Sequence, residues 1–194
     1  MALVLIGASH HNLSLAKLEM LEHGASDVRK HLFNSSSIEH GINGGVLIST
    51  CNRFEIYCDT EKFHGAVNHV IEAIGEISGL KEDEINQVLQ VSSGMDVVQH
   101  LFAVCAGLES MIIGEAEIAG QVRSAFKLAQ KERNTTPLLE RLFQRALANS
   151  KVVTHSTGLG AAGRSIVDVG LTVLQDRHGE IAGKPAVVLG TGAY

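Results

Sequence analysis

The chain has 194 residues, 45% of them apolar but only 4% aromatic, with no Trp and a formal net charge of -5. That length suits one complete domain plus part of a second, with a core of Leu, Ile, Val and Ala. The acidic balance excludes a broad basic face for nucleic acid, and no apolar stretch is long enough to span a bilayer.

In chain order, Leu3 to Ala8 is an apolar run that reads as a buried strand. It lacks a basic flank and a cleavage site, so it is not a signal peptide. Ser14 is the expected cap of a helix through Leu21, and a second short helix is expected over Asp27 to Phe33. Val46-Leu47-Ile48 reads as a second buried strand. Beyond Asn52-Arg53, Phe54, Ile56 and Cys58 alternate with Glu55, Tyr57 and Asp59, the period of a half-exposed strand. Cys51 therefore falls at a strand-to-strand junction.

Val67, Val70, Ile71, Ile74 and Ile77 form one helical stripe. A weak strand near Val88 to Val91 precedes a helix that Ser93 caps, carrying Val97, Val98, Leu101, Phe102 and Cys105. Two long helices are expected over about Glu115–Arg133 and from Pro137 to about Thr154. The Gly-rich stretch Thr157 to Gly163 reads as a linker, followed by a helix over Ser165 to Asp176 and a strand at Val187-Val188-Leu189. The expected architecture is an α/β (α+β) sandwich with a helical extension over residues 1–156. Residues 157–194 read as the start of a truncated Rossmann-type domain.

Three cysteines, with no CxxC, argue against a disulfide scaffold or a structural zinc site and for a reducing, cytoplasmic setting. Cys51 is the candidate nucleophile. A strand delivers it to a polar turn, Asn52 tolerates a left-handed backbone, and adjacent Arg53 is expected to favour thiolate. Taken without its neighbours, Cys51 is more often a small buried hydrophobe. Arg53 has a planar fork that suits a carboxylate. Cys58 and Cys105 lie in phase with apolar neighbours and read as core. Glu115 and Glu117, after Gly114, suit a helix start or an ammonium site, with Ser110 and Gln121 beside them. His100 borders a core stripe, where a lone histidine is usually structural. The histidines show no i, i+4 pair, so no metal is expected. Arg141 and Arg145 share a helix face in a modest basic cluster, more often solvated surface than a phosphate contact. Gly190-Thr191-Gly192 follows an apolar strand as a dinucleotide-binding turn does.

Together and in order, these motifs resemble the N-terminal part of the glutamyl-tRNA reductases. The likeness rests on Gly7-Ala8-Ser9-His10, Ser49-Thr50-Cys51-Asn52-Arg53, His100-Leu101-Phe102 and Gly107-Leu108-Glu109-Ser110-Met111. It continues through Gly114-Glu115, Gly120-Gln121, Gly163-Arg164-Ser165 and the final GxG. The resemblance implies attack by Cys51 on the ester of glutamyl-tRNA(Glu), a thioester, and reduction by NADPH to glutamate-1-semialdehyde, the first step of five-carbon tetrapyrrole (porphyrin, heme) biosynthesis. It implies substrate contacts from Thr50, Asn52, Arg53, Ser110, Glu115, Ala116, Glu117 and Gln121, with Arg53 reading the side-chain carboxylate. It also implies a role in activity for His100 and NADPH contacts from Gly190, Thr191, Gly192, Ala193 and Tyr194. Implied partners are a second copy, through a C-terminal helical domain, and glutamate-1-semialdehyde aminomutase. The family commonly reads Glu-Pro-Gln where this chain has Glu115-Ala116-Glu117, placing a charge where an amide is usual. Because the chain stops within the phosphate-binding turn, it is expected to form the thioester or hydrolyse the ester without reducing it.

Rival readings are another thioester-forming semialdehyde dehydrogenase, a cysteine hydrolase and a non-catalytic nucleotide-binding module. The first usually places its nucleotide-binding strand before the cysteine, the reverse of the order here.

Overall fold

The computed structural model describes residues 2–33, 37–115, 117–157, 166–185 and 187. The chain divides into two compact units, Met1–Gly163 and Arg164–Tyr194.

The first unit holds strands β1 (Ala2–Ser9), β2 (Ile42–Thr50), β3 (Arg53–Thr60) and β4 (Gln90–Ser93). Its helices are α1 (Leu15–Leu32), α2 (Phe63–Ser78), α3 (Glu82–Val88), α4 (Met95–Cys105), α5 (Glu117–Lys131) and α6 (Pro137–Ser156). The strands form one antiparallel sheet in the order β2-β3-β1-β4. Strand residues alternate between faces. Val4, Ile6, Ala8, Leu47, Phe54, Ile56 and Cys58 pack under α1–α3, while Leu3, Leu5, Val46, Ile48 and Tyr57 pack under α4–α6. A strand covered on both faces reads as a continuous apolar run, which is why Leu3 to Ala8 has no polar alternation.

This arrangement revises three expectations. The C-terminal helices of the unit are not an extension but the second outer layer of the sheet. Strand β3 is buried along its whole length, so the polar partners in its alternation face α4–α6 and not solvent. Helix α1 is continuous. Gly24, between the expected end of one helix at Leu21 and the expected start of another at Asp27, lies inside it, at a close approach to α2. A Cβ there would meet Ile77 Cγ2 at 3.0 Å. The packing of Leu18, Leu21, Val28 and Leu32 outweighs the ~1 kcal/mol that glycine costs a helix.

On the second face Phe143 stacks on Phe126, ring centroids 5.2 Å apart, and meets Tyr57 edge-on at 5.4 Å. Helix α6 begins as expected with Pro137 in its first turn. Thr136 caps it and also donates to the buried Asp59 carboxylate at 2.8 Å. The cap of α4 is Gly94, because Ser93 is spent in β4.

In the second unit, α7 (Ile166–His178) matches the expected helix and ends at Gly179, whose φ is +75°. The proposed linker glycines, Val188, Leu189 and the GxG turn lie outside the described residues. No helix among the described residues is long and apolar enough to cross a membrane.

A candidate active site at the β2–β3 turn

Thr50 pairs with Arg53, leaving Cys51-Asn52 as a two-residue turn. Thr50 Oγ1 accepts from the Asn52 amide at 3.2 Å, and the Asn52 carbonyl accepts from the His10 amide at 2.9 Å. These bonds tie the turn to the end of β1. The left-handed backbone expected of Asn52 is not used; among the described residues, Arg133 is the non-glycine residue with positive φ. Cys51 is exposed. Cys58 and Cys105 are buried, and burial pushes both thiols up to about 12, as befits core residues.

The charge around Cys51 is the opposite of what its neighbour suggested. Partial burial raises its thiol pKa, and the carboxylates of Glu22, Glu115 and Glu117 raise it further. Arg53 gives no help, because strand alternation turns it to the α4–α6 face, where it is only 1% exposed. There Nη1 donates to Glu55 Oε1 at 2.7 Å and Nη2 to the Glu109 carbonyl at 2.5 Å, while Nε is buried with no partner. The Tyr57 hydroxyl donates to Glu55 Oε2 at 2.8 Å, and His100 Nε2 lies 2.9 Å from Glu55 Oε1. Burial pushes the Glu55 carboxyl up, but His100, Arg53 and Tyr57 together hold it below the usual carboxylate range. Burial and the Glu55 charge drive the Tyr57 hydroxyl well above the ordinary phenol value.

A cleft of about 580 Å³ runs along edge strand β2 between α1 and α5. Glu22, Arg29, Ser49, Glu117 and Gln121 line it, and Arg29 Nε donates to Glu132 at 2.9 Å. The Ser49 hydroxyl is without a protein partner. The structure thus gathers Cys51, Glu115 and Glu117 within electrostatic reach, with Gln121 one turn along α5. It gathers Arg53, His100 and the Ser110 loop into a second, buried cluster on the other side of β3. Gly107, at φ +74°, bends that loop so tightly that a Cβ would sit 3.0 Å from the Glu115 carbonyl. Ala116, Gly190, Thr191, Gly192, Ala193 and Tyr194 lie outside the described residues.

Glu22, Glu55 and Tyr57 were missed. Glu55, an acid inside an apolar strand, was a signal misread as surface. Glu22 carries none, since it sits on the polar face of α1. Also unforeseen is the meeting of His31, His40 and His69 from three segments, with His40 and His69 stacked 4.0 Å apart.

These features define a class, an α/β/α-layered domain with one exposed thiol on a hairpin beside an acidic cleft. The family model described as glutamyl-tRNAGlu reductase, N-terminal domain, matches residues 6–157, and the chain belongs to that family. It is 39% identical over 199 residues to a glutamyl-tRNA reductase of Tropheryma whipplei (strain Twist), covering 99% of this chain and 43% of the relative. One from Acidothermus cellulolyticus is 40% identical over 195 residues, covering 100% of this chain and 41% of the relative. Among solved structures, glutamyl-tRNA reductase from Methanopyrus kandleri superposes with a TM-score of 0.66 at 28% identity, over 91% of this chain and 40% of that one. The chain spans less than half the length of these relatives.

Proposed function

We propose that this chain is the thiol-bearing part of an enzyme that takes glutamate from glutamyl-tRNA as a Cys51 thioester, at the first step of five-carbon tetrapyrrole synthesis. The observation that carries the reading is Cys51 itself. It is the exposed cysteine, it sits on a two-residue turn, and two of the carboxylates acting on it, Glu22 and Glu117, line the cleft.

The thiol first loses its proton. The sulfur then attacks the ester carbonyl carbon, the bond to the ribose oxygen breaks, and that oxygen leaves with a proton. In the free protein the acidic surroundings hold the thiol protonated. The α-ammonium of an incoming glutamyl group, seated at Glu115 and Glu117, offsets those charges and releases the thiolate where the ester lies. Gln121, Thr50 and Asn52 supply hydrogen bonds at the same end. Arg53 and His100, joined through Glu55, hold the hairpin and the Ser110 loop in place. For Arg53 to read the substrate carboxylate, the Glu109 carbonyl has to yield its place. NADPH, when bound, supplies hydride to the acyl group; the residues assigned to it lie outside those described, and the steps above use the thiol alone.

The test is mass spectrometry of the chain after mixing with glutamyl-tRNA. Wild type is expected to gain one glutamyl group on Cys51, removable by hydroxylamine, and Cys51→Ser none. Equal ester loss with the serine variant overturns the reading.

A further inference from the structure

On the opposite side of α5 from the cleft lies a pocket of about 270 Å³, lined by Arg123, Lys151, Thr154, His155 and Cys105. Helical periodicity explains the division. Glu117, Gln121 and Ser124 face the cleft, and Ala119 and Arg123 face the pocket. Gly120 lines both, so the ridge between them is a residue with no side chain, and a Cβ there would meet nothing within 4 Å.

The pocket's lining sets two cations, Arg123 and Lys151, against one carboxylate, Glu115. Among the described residues, no ion pair engages Arg123 or Lys151. The carboxylate in the lining, Glu115, pairs with neither. Unpaired cations converging on a concave surface are a phosphate site in search of its ligand.

We infer that Arg123 and Lys151 hold a backbone phosphate of the RNA acceptor end whose aminoacyl group occupies the cleft beyond Gly120. This rests on the reading of Cys51 given above. The ester oxygen belongs to the terminal ribose, and the phosphate of that nucleotide is one sugar away, so the hollow bordering the cleft is where it falls. The other source of phosphate, a dinucleotide, has its own expected seat in the Gly190-Thr191-Gly192 turn.

The experiment is fluorescence anisotropy with an unacylated RNA hairpin ending in single-stranded CCA, titrated at several salt concentrations. An Arg123→Ala, Lys151→Ala double variant is expected to flatten the slope of log affinity against log salt by about 1.4. At 0.1 M salt it is expected to bind about 25-fold more weakly, the effect of two lost single-strand phosphate contacts. If alanine impairs folding, the Arg123→Gln, Lys151→Gln pair is read instead. An unchanged slope overturns the proposal. So does loss of NADPH binding with RNA binding intact, which assigns the pocket to the dinucleotide. The probe carries no ester, so this result is independent of thiol chemistry. Failure of the adduct test refutes the Cys51 mechanism separately.

Discussion

Cys51 and Arg53 are two residues apart and live in opposite environments. The thiol stands on an exposed turn, where partial burial and then nearby carboxylates raise its pKa. The guanidinium lies under α4–α6, locked to Glu55 and to the Ser110 loop. The difference teaches that proximity in sequence says little about electrostatic influence across a strand boundary. The two-residue turn ends one strand before the cysteine and begins the next after it, and Arg53, paired with Thr50, then points to the α4–α6 face of the sheet. The first region is open and tuned by charge; the second is closed and held by the Glu55 carboxylate, which takes bonds from Arg53 and Tyr57 and contacts His100.

The comparison can be broken most severely at Glu55. Glu55→Ala leaves the buried Arg53 charge with only a carbonyl partner, and an expected loss of about 3–5 kcal/mol is read from urea denaturation. Wild-type stability carries a related signature. Glu55 has a folded pKa below its unfolded value, so its contribution is complete above the ordinary carboxylate range near about 4.3 and is lost as pH falls through the lower folded value. Urea midpoints followed from pH 6 to pH 3 should fall less steeply in Glu55→Gln than in wild type.

Tyr57→Phe removes one donor to the same carboxylate. About 1–2 kcal/mol of stability should go in the same assay, with Cys51 labelling unchanged. On the open side, Glu115→Gln with Glu117→Gln removes two charges that raise the Cys51 pKa, so its iodoacetamide rate at pH 7.5 should rise. A slower rate would show that the carboxylates do not act on the thiol. Smallest is the effect of Cys51→Ser on folding. An exposed turn residue should shift stability by less than about 0.5 kcal/mol, so loss of adduct formation in that variant reports chemistry.

The sequence by itself determined a good deal. Apolar periodicity located β1, β2, α2 and the cores of α4–α6, because burial imposes a local repeat on each element. The order of motifs pointed to the family, and the hairpin position of Cys51 followed from the polar break between two strands. Only the tertiary structure decided what surrounds that thiol. Glu22, Glu115 and Glu117 come from α1, the end of a loop and α5, and no local pattern reveals that they converge. The burial of Glu55 and Tyr57 was invisible for the same reason. Polar alternation signals water only when no second layer covers the strand, and whether α4–α6 fold back over β3 is settled by long-range packing of Phe126, Phe143 and their neighbours, not by any spacing within residues 53–59.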